Sequence, residues 1–154
     1  MKSAFAVAAL LMLAVVSLSR DASGADVASD SEQIKRQAAM IPSLQQAAAS
    51  AGKYDSSSIN VKSTAHLVTI EVINSKLNNA SAADRNAEAS AIASAIGKAI
   101  GGKAEFSAVA TIHVDYVTGQ GNTAKIVQGF VFNKNPDGTF KPHQSRAGRI
   151  WTTA

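Results

Sequence analysis

The stretch from Phe106 to Val117, FSAVATIHVDYV, decides the fold. Its side chains alternate. Phe106, Ala108, Ala110, Ile112, Val114 and Tyr116 fall on one side of an extended chain, and Ser107, Val109, Thr111, His113, Asp115 and Val117 on the other. A period of two with one greasier side predicts a strand that buries one face and leaves the other wetter.

Reading onward, Thr118 to Thr123 is a glycine-containing loop, and Lys125 to Asn133 resumes the extended pattern. A loop this short predicts an antiparallel pair. Ile126, Gln128, Phe130 and Phe132 would share one face, and Val127, Gly129 and Val131 the other. Asn135-Pro136-Asp137-Gly138 is a turn with proline in its favoured second place, and Thr139 to His143 returns as a short edge strand limited by Pro142.

Reading backward, Gly101-Gly102 stops a helix whose stripe is Ala89, Ile92, Ala93, Ile96 and Ile100. Arg85, Glu88 and Lys98 are its polar positions, Gly97 weakens its interior, and Ser81 with Asp84 caps its start. Before it, Val68, Ile70 and Val72 alternate with Thr69, Glu71 and Ile73 in a strand that includes His66 and follows a change of period at Ile59. Further back, Ile34, Ala38 and Ile41 mark a helical face. Pro42 predicts a break there, with a second helical piece running to Ser50 and stopped by Gly52. Ser29 and Glu32 suit the start of the first piece, after a flexible lead at residues 25–31. The order is α-β-α-β-β with a further edge strand. It predicts a two-layer α+β domain, its helices packed on one face of a small, mainly antiparallel sheet. This order loosely resembles small exported α+β modules such as the BON type. The resemblance is one of element order, and no site residue is carried over from it.

The chain has 154 residues, 46% of them hydrophobic and 17% charged, which suits one globular domain. It has no cysteine, which excludes disulfides, thiolate metal sites and thiol nucleophiles. Lys2, the apolar run Ala4 to Leu18 and the small residues up to Ala25 read as a secretory signal over residues 1–25. A single domain at 26–143 and a flexible basic tail at 144–154 follow, and the expected destination is periplasmic or extracellular. Asn79-Ala80-Ser81 is a glycosylation acceptor if the host glycosylates exported chains.

The candidate site lies on the outer sheet face. His113 and Asp115, two residues apart on a strand, project to the same side with Thr111, and Val127 and Val131 add apolar area from the next strand. The leading expectation is a small exported binding or protein-interaction module without catalysis or cofactor, with self-association, a protein partner or a small ligand at that face. A hydrolase or metal-assisted enzyme using His113 and Asp115 is the alternative, because an imidazole beside a carboxylate suits proton transfer. No Gly-x-Ser-x-Gly elbow or phosphate loop accompanies the pair, and no histidine spacing of a helical metal site is present. A third reading takes Lys141, Arg146, Arg149 and Trp151, beside His143, as a tail for an anionic membrane surface. The formal charge of +4 and the lack of a recognition motif give no specific nucleic-acid partner.

Overall fold

The structure, a computed structural model, describes residues 22–119 and 123–143, with side chains from residue 31 onward. The elements in chain order are α1 (Ala22–Gly52), β1 (Ile59–Ser63), β2 (Leu67–Ile73), α2 (Ala82–Ile100), β3 (Thr111–Thr118), β4 (Lys125–Lys134) and β5 (Phe140–Pro142). The strands form one sheet in the order β1-β2-β3-β4-β5, antiparallel except for the parallel pair β2–β3, which α2 connects. The fold is α+β, with both helices on one face of a mixed sheet, as the periodicity predicts.

The buried face follows from strand parity. Val68, Ile70 and Val72 on β2, Ile112, Val114 and Tyr116 on β3, and Phe132 on β4 join Ile59 and Val61 of β1 under the helices. Leu44, Ala48 and Ala49 of α1 and Ala89, Ile92, Ala93, Ile96 and Ile100 of α2 close the core. Each buried Ile, Leu or Val contributes about 1.5–3 kcal/mol relative to exposure, so this layer is the main source of stability. The alanines let both helices approach the sheet closely. At Gly97 the limit is sharper, since a Cβ there would stand 2.9 Å from the ring of Phe140. The glycine expected only to weaken α2 is what lets β5 lean against it.

The caps are local chemistry. The Ser81 hydroxyl accepts from the Asp84 amide (3.1 Å) and donates to the Asp84 carboxylate (2.7 Å), as its spacing predicts. At the end of α1 the Tyr54 amide bonds back to the Ala49 carbonyl (2.9 Å), and the residue in the left-handed region is Lys53 (φ 58°) rather than Gly52. Gly52 is needed for a different reason, because a Cβ there would meet the Tyr54 ring at 2.6 Å.

Four expectations are corrected. First, α1 runs unbroken through Pro42 and already includes residues 25–31, so there is neither a flexible lead nor a helix start at Ser29. Proline removes a single backbone bond, while Gln37 before it and Leu44 after it are both fully buried in the same layer. Second, Ile34 is 39% exposed and Ala38 is exposed. The inward row instead begins with Gln33 and Gln37, whose amides both donate to the Glu105 carbonyl (3.0 and 2.8 Å). Hydropathy does not show an inward row built on glutamines. Third, Ile59 to Ile73 is a hairpin, not one strand. Thr64 bonds to Leu67 (2.8 Å), and His66 sits exposed in the turn. Fourth, β3 begins at Thr111. Ala104–Phe106 is a 3-10 turn, and the bend after it buries Phe106 and Val109 together, although alternation put them on opposite faces.

Lys53 in the left-handed region supplies a stability test, since a non-glycine residue is strained there. Lys53→Gly is expected to raise stability by about 0.5–1 kcal/mol in urea unfolding, with an unchanged slope.

Candidate functional site

The sheet face opposite the helices carries no covering element among the described residues. Parity and register order its residues into rows across the strands. One row is Lys62, Thr69, His113 and Val131, and the next is Asn60, Glu71, Asp115 and Gly129. Flanking rows are Leu67, Thr111, Asn133 and Lys141 on one side, and Ile73, Val117 and Ile126 on the other.

Thr111, His113, Asp115 and Val131 therefore share the outer face, as their spacing predicts, and Val131 lies directly opposite His113. Val127 sits at a bulge. Tyr116 pairs with Gln128 and Val117 with Ile126, so Val127 is the extra residue between them. The bulge reverses one expectation. Ile126, placed by alternation on the face of Phe130 and Phe132, is opposite Val117 on the outer face and is 67% exposed. Val127 and Val131 are 41% and 38% exposed. The outer face thus holds more apolar surface than the sequence indicates, concentrated at the end of β4 nearest the bulge.

The polar centre of the face is asymmetric. Glu71 accepts hydrogen bonds from Asn60 (2.7 Å) and Lys62. Burial pushes its carboxyl upward, but the bonds from Lys62 and Asn60 and the Lys62 charge hold it below the ordinary value. Asp115 lacks such bonds. Burial raises its carboxyl, the His113 and Lys62 charges oppose that rise, Glu71 adds to it, and the balance is upward. No hydrogen bond reaches the Asp115 carboxylate among the described residues. Its Oδ1 lies where a side chain of residue 129 would start, 2.5 Å from the Cβ position of Gly129. Gly129 is thus a notch that Asp115 leans over, a role spacing alone does not reveal.

His113 and Asp115 are neighbours on one face without a hydrogen bond between them among the described residues. No group of three His, Cys, Asp or Glu side chains that would hold a metal ion occurs among the described residues either. His143 is turned toward Asn133, whose Nδ2 lies 2.8 Å from its Nδ1, and Lys141 is exposed on β5. Arg146, Arg149 and Trp151 lie outside the described residues, as do residues 1–21 of the expected signal. No helix among the described residues is long and apolar enough to cross a membrane.

A second polar cluster, missed from sequence, lies on the helix side. The hydroxyls of Tyr54 and Tyr116 both donate to Oε1 of Glu88 (2.8 and 3.0 Å), and the Tyr54 hydroxyl also meets Ser75. Burial, reinforced by Glu88, pushes the Tyr54 phenol up to about 12 and raises Tyr116 as well. Arg85 donates to the carbonyls of Leu77, Asn78 and Ala80 (2.7–3.1 Å) and to Oε1 of Gln128 (2.7 Å). These residues tie the loop after β2 to α2 and to β4. Their polar atoms are directed at one another, which makes this cluster a lock for the fold.

Comparison with protein-family models, curated proteins and solved structures gives no match. The resemblance in element order therefore assigns no family, and the reading rests on the geometry.

Two outcomes follow for Asp115. Gly129→Ala displaces the Asp115 carboxylate, the rotatable end of its side chain, and is expected to cost no more than about 1 kcal/mol. Asp115→Ala should remove most of that cost, so the double variant shows a coupling of about 0.5 kcal/mol in unfolding measurements. Asp115→Asn tests the burial. A raised carboxyl costs nothing well below the ordinary value of 3.8, and the cost grows as pH rises through the folded-state value. The variant should therefore gain stability at neutral pH, with the gain vanishing in acid thermal melts.

Proposed function

We propose that this chain is a small exported interaction module without catalysis, and that it self-associates through the bare face of its sheet. The observation that carries the reading is the order of the rows on that face. The row with Lys62 and His113 adjoins the row with Glu71 and Asp115. A two-fold axis lying between these rows and parallel to them sets each against the other in a facing copy. His113 then meets Asp115 of the second copy, Thr69 meets Glu71, and Val131 lies over Gly129, which carries no side chain. One surface supplies both signs of charge and an apolar contact beside them.

The size of the surface sets the strength. Five strands spaced about 4.8 Å apart, over roughly seven residues of about 3.3 Å, project only some 500 Å². A standard interface covers about 800 Å² per partner, so the association is weak and concentration-dependent. The export part of the reading rests on residues 1–25.

Native mass spectrometry of the exported protein tests both parts. The expected spectrum shows a chain that has lost the leader, in a monomer–dimer equilibrium. An intact chain would overturn export, and a monomer at every concentration would overturn self-association. Val127→Asp with Val131→Asp is expected to abolish the dimer while leaving the circular dichroism spectrum unchanged, because both valines are exposed. His113→Asp and Asp115→His should each weaken the dimer alone, and mixing the two variants should restore it as a heterodimer. Failure of the mixture to recover would refute the facing arrangement while leaving other uses of the face open.

A further inference from the structure

We propose that the cleft at the C-terminal end of α2 is a binding site for a small carboxylic acid with a flat apolar body. The cleft has a volume of about 400 Å³ and lies between the end of α2, the 3-10 turn after it and the β4–β5 hairpin. That volume is within the range of small-ligand sites, roughly 300–1,000 Å³. It includes none of the outer-face residues and stands independently of the self-association reading.

Its lining divides into two chemistries. Ile100, Phe106 and Phe140 form apolar walls, with Phe106 only 2% exposed. Lys103 and Lys134 also line it. Neither lysine forms an ion pair with an acidic side chain among the described residues. The Lys134 ammonium is placed at the cleft by its contact with the Ser107 carbonyl, 3.4 Å away, and Ser107 is itself part of the lining.

Two glycines of the lining, Gly102 (φ 73°) and Gly138 (φ 81°), hold left-handed backbone that excludes most side chains, and a Cβ at either would meet nothing within 4 Å. Phe140 is held as a wall by its approach to Gly97. Apolar lining beside two ammonium groups that no carboxylate pairs among the described residues selects a ligand that is apolar in body and anionic at one end. A bare inorganic anion would leave the aromatic walls unfilled, and a neutral hydrocarbon would leave the lysines unused.

The test is a titration of the full chain with benzoate, followed by backbone amide NMR shifts, with benzyl alcohol as the neutral probe of like shape. Fragment-sized ligands bind with dissociation constants near about 1 mM. Benzoate is expected to shift amides between residues 100 and 107 and between 134 and 140, with benzyl alcohol much weaker. Lys103→Gln with Lys134→Gln should weaken benzoate by about tenfold or more at an unchanged melting temperature. Lys98→Gln, on the exposed side of α2, should change nothing. Absence of shifts at about 10 mM benzoate, shifts scattered over all surface lysines, or equal binding of the alcohol would each overturn the assignment.

Discussion

The parallel pairing of β2 with β3 is the constraint on which the rest of this molecule depends. Adjacent parallel strands cannot be joined by a tight turn, so the chain must cross over one face of the sheet. Here the crossover is α2, and its stripe from Ala89 to Ile100 fixes which face becomes the core. Once Val68, Ile70 and Val72 turn toward α2, the register of the pair carries Ile112, Val114 and Tyr116 to the same side. The antiparallel neighbours β1 and β4 extend that choice across the sheet. α1 then packs on the side already occupied by α2. Among the described residues the other face is bare, because a single crossover cannot cover both sides.

The crossover is pinned by hydrogen bonds as much as by burial. Arg85 collects three backbone carbonyls from the loop that leads into α2 and reaches over to Gln128 of β4. One turn further along the helix, Glu88 receives phenol protons from Tyr54 at the end of α1 and Tyr116 on β3. Four elements are therefore held in register by two side chains of one helix. Such a network has value only when complete. Loss of one phenol leaves a half-buried carboxylate with less compensation, and an unmet buried polar group costs about 1–3 kcal/mol. Gln37 shows the cost in place, since its Nε2 serves Glu105 while its buried Oε1 has no partner among the described residues.

Much of this architecture is legible in the sequence because it is governed by period and parity. The stripe of α2, its Ser81 cap, the faces of β2 and β3 and the turn before β5 all follow from residue spacing. The departures occur where spacing is not the deciding variable. Pro42 stays inside a helix because tertiary burial on both sides outweighs one missing bond. The inward row of α1 opens with glutamines because a turn carbonyl needs donors. Ile126 moves to the outer face because a bulge adds a residue, and a single insertion reverses parity for everything before it. At the candidate site, Thr111, His113, Asp115 and Val131 are legible as one face for the same reason. The notch at Gly129 is not, because cross-strand register appears in no local pattern.

The bare face is also where the molecule departs from its own economy. Asp115 is half-buried and, unlike Glu71 beside it, has no hydrogen-bond donor among the described residues. Gly129 weakens β4 by having no side chain to pack, and it is what permits that placement. Two unfavourable choices thus sit opposite each other on neighbouring strands. A larger residue at 129 with a shorter one at 115 would serve the isolated fold better. On the self-association reading the pair has a use, because the carboxylate held over Gly129 meets His113 of a facing copy. The monomer then carries a modest cost on this face that docking offsets, as expected where local stability is given up at a functional surface.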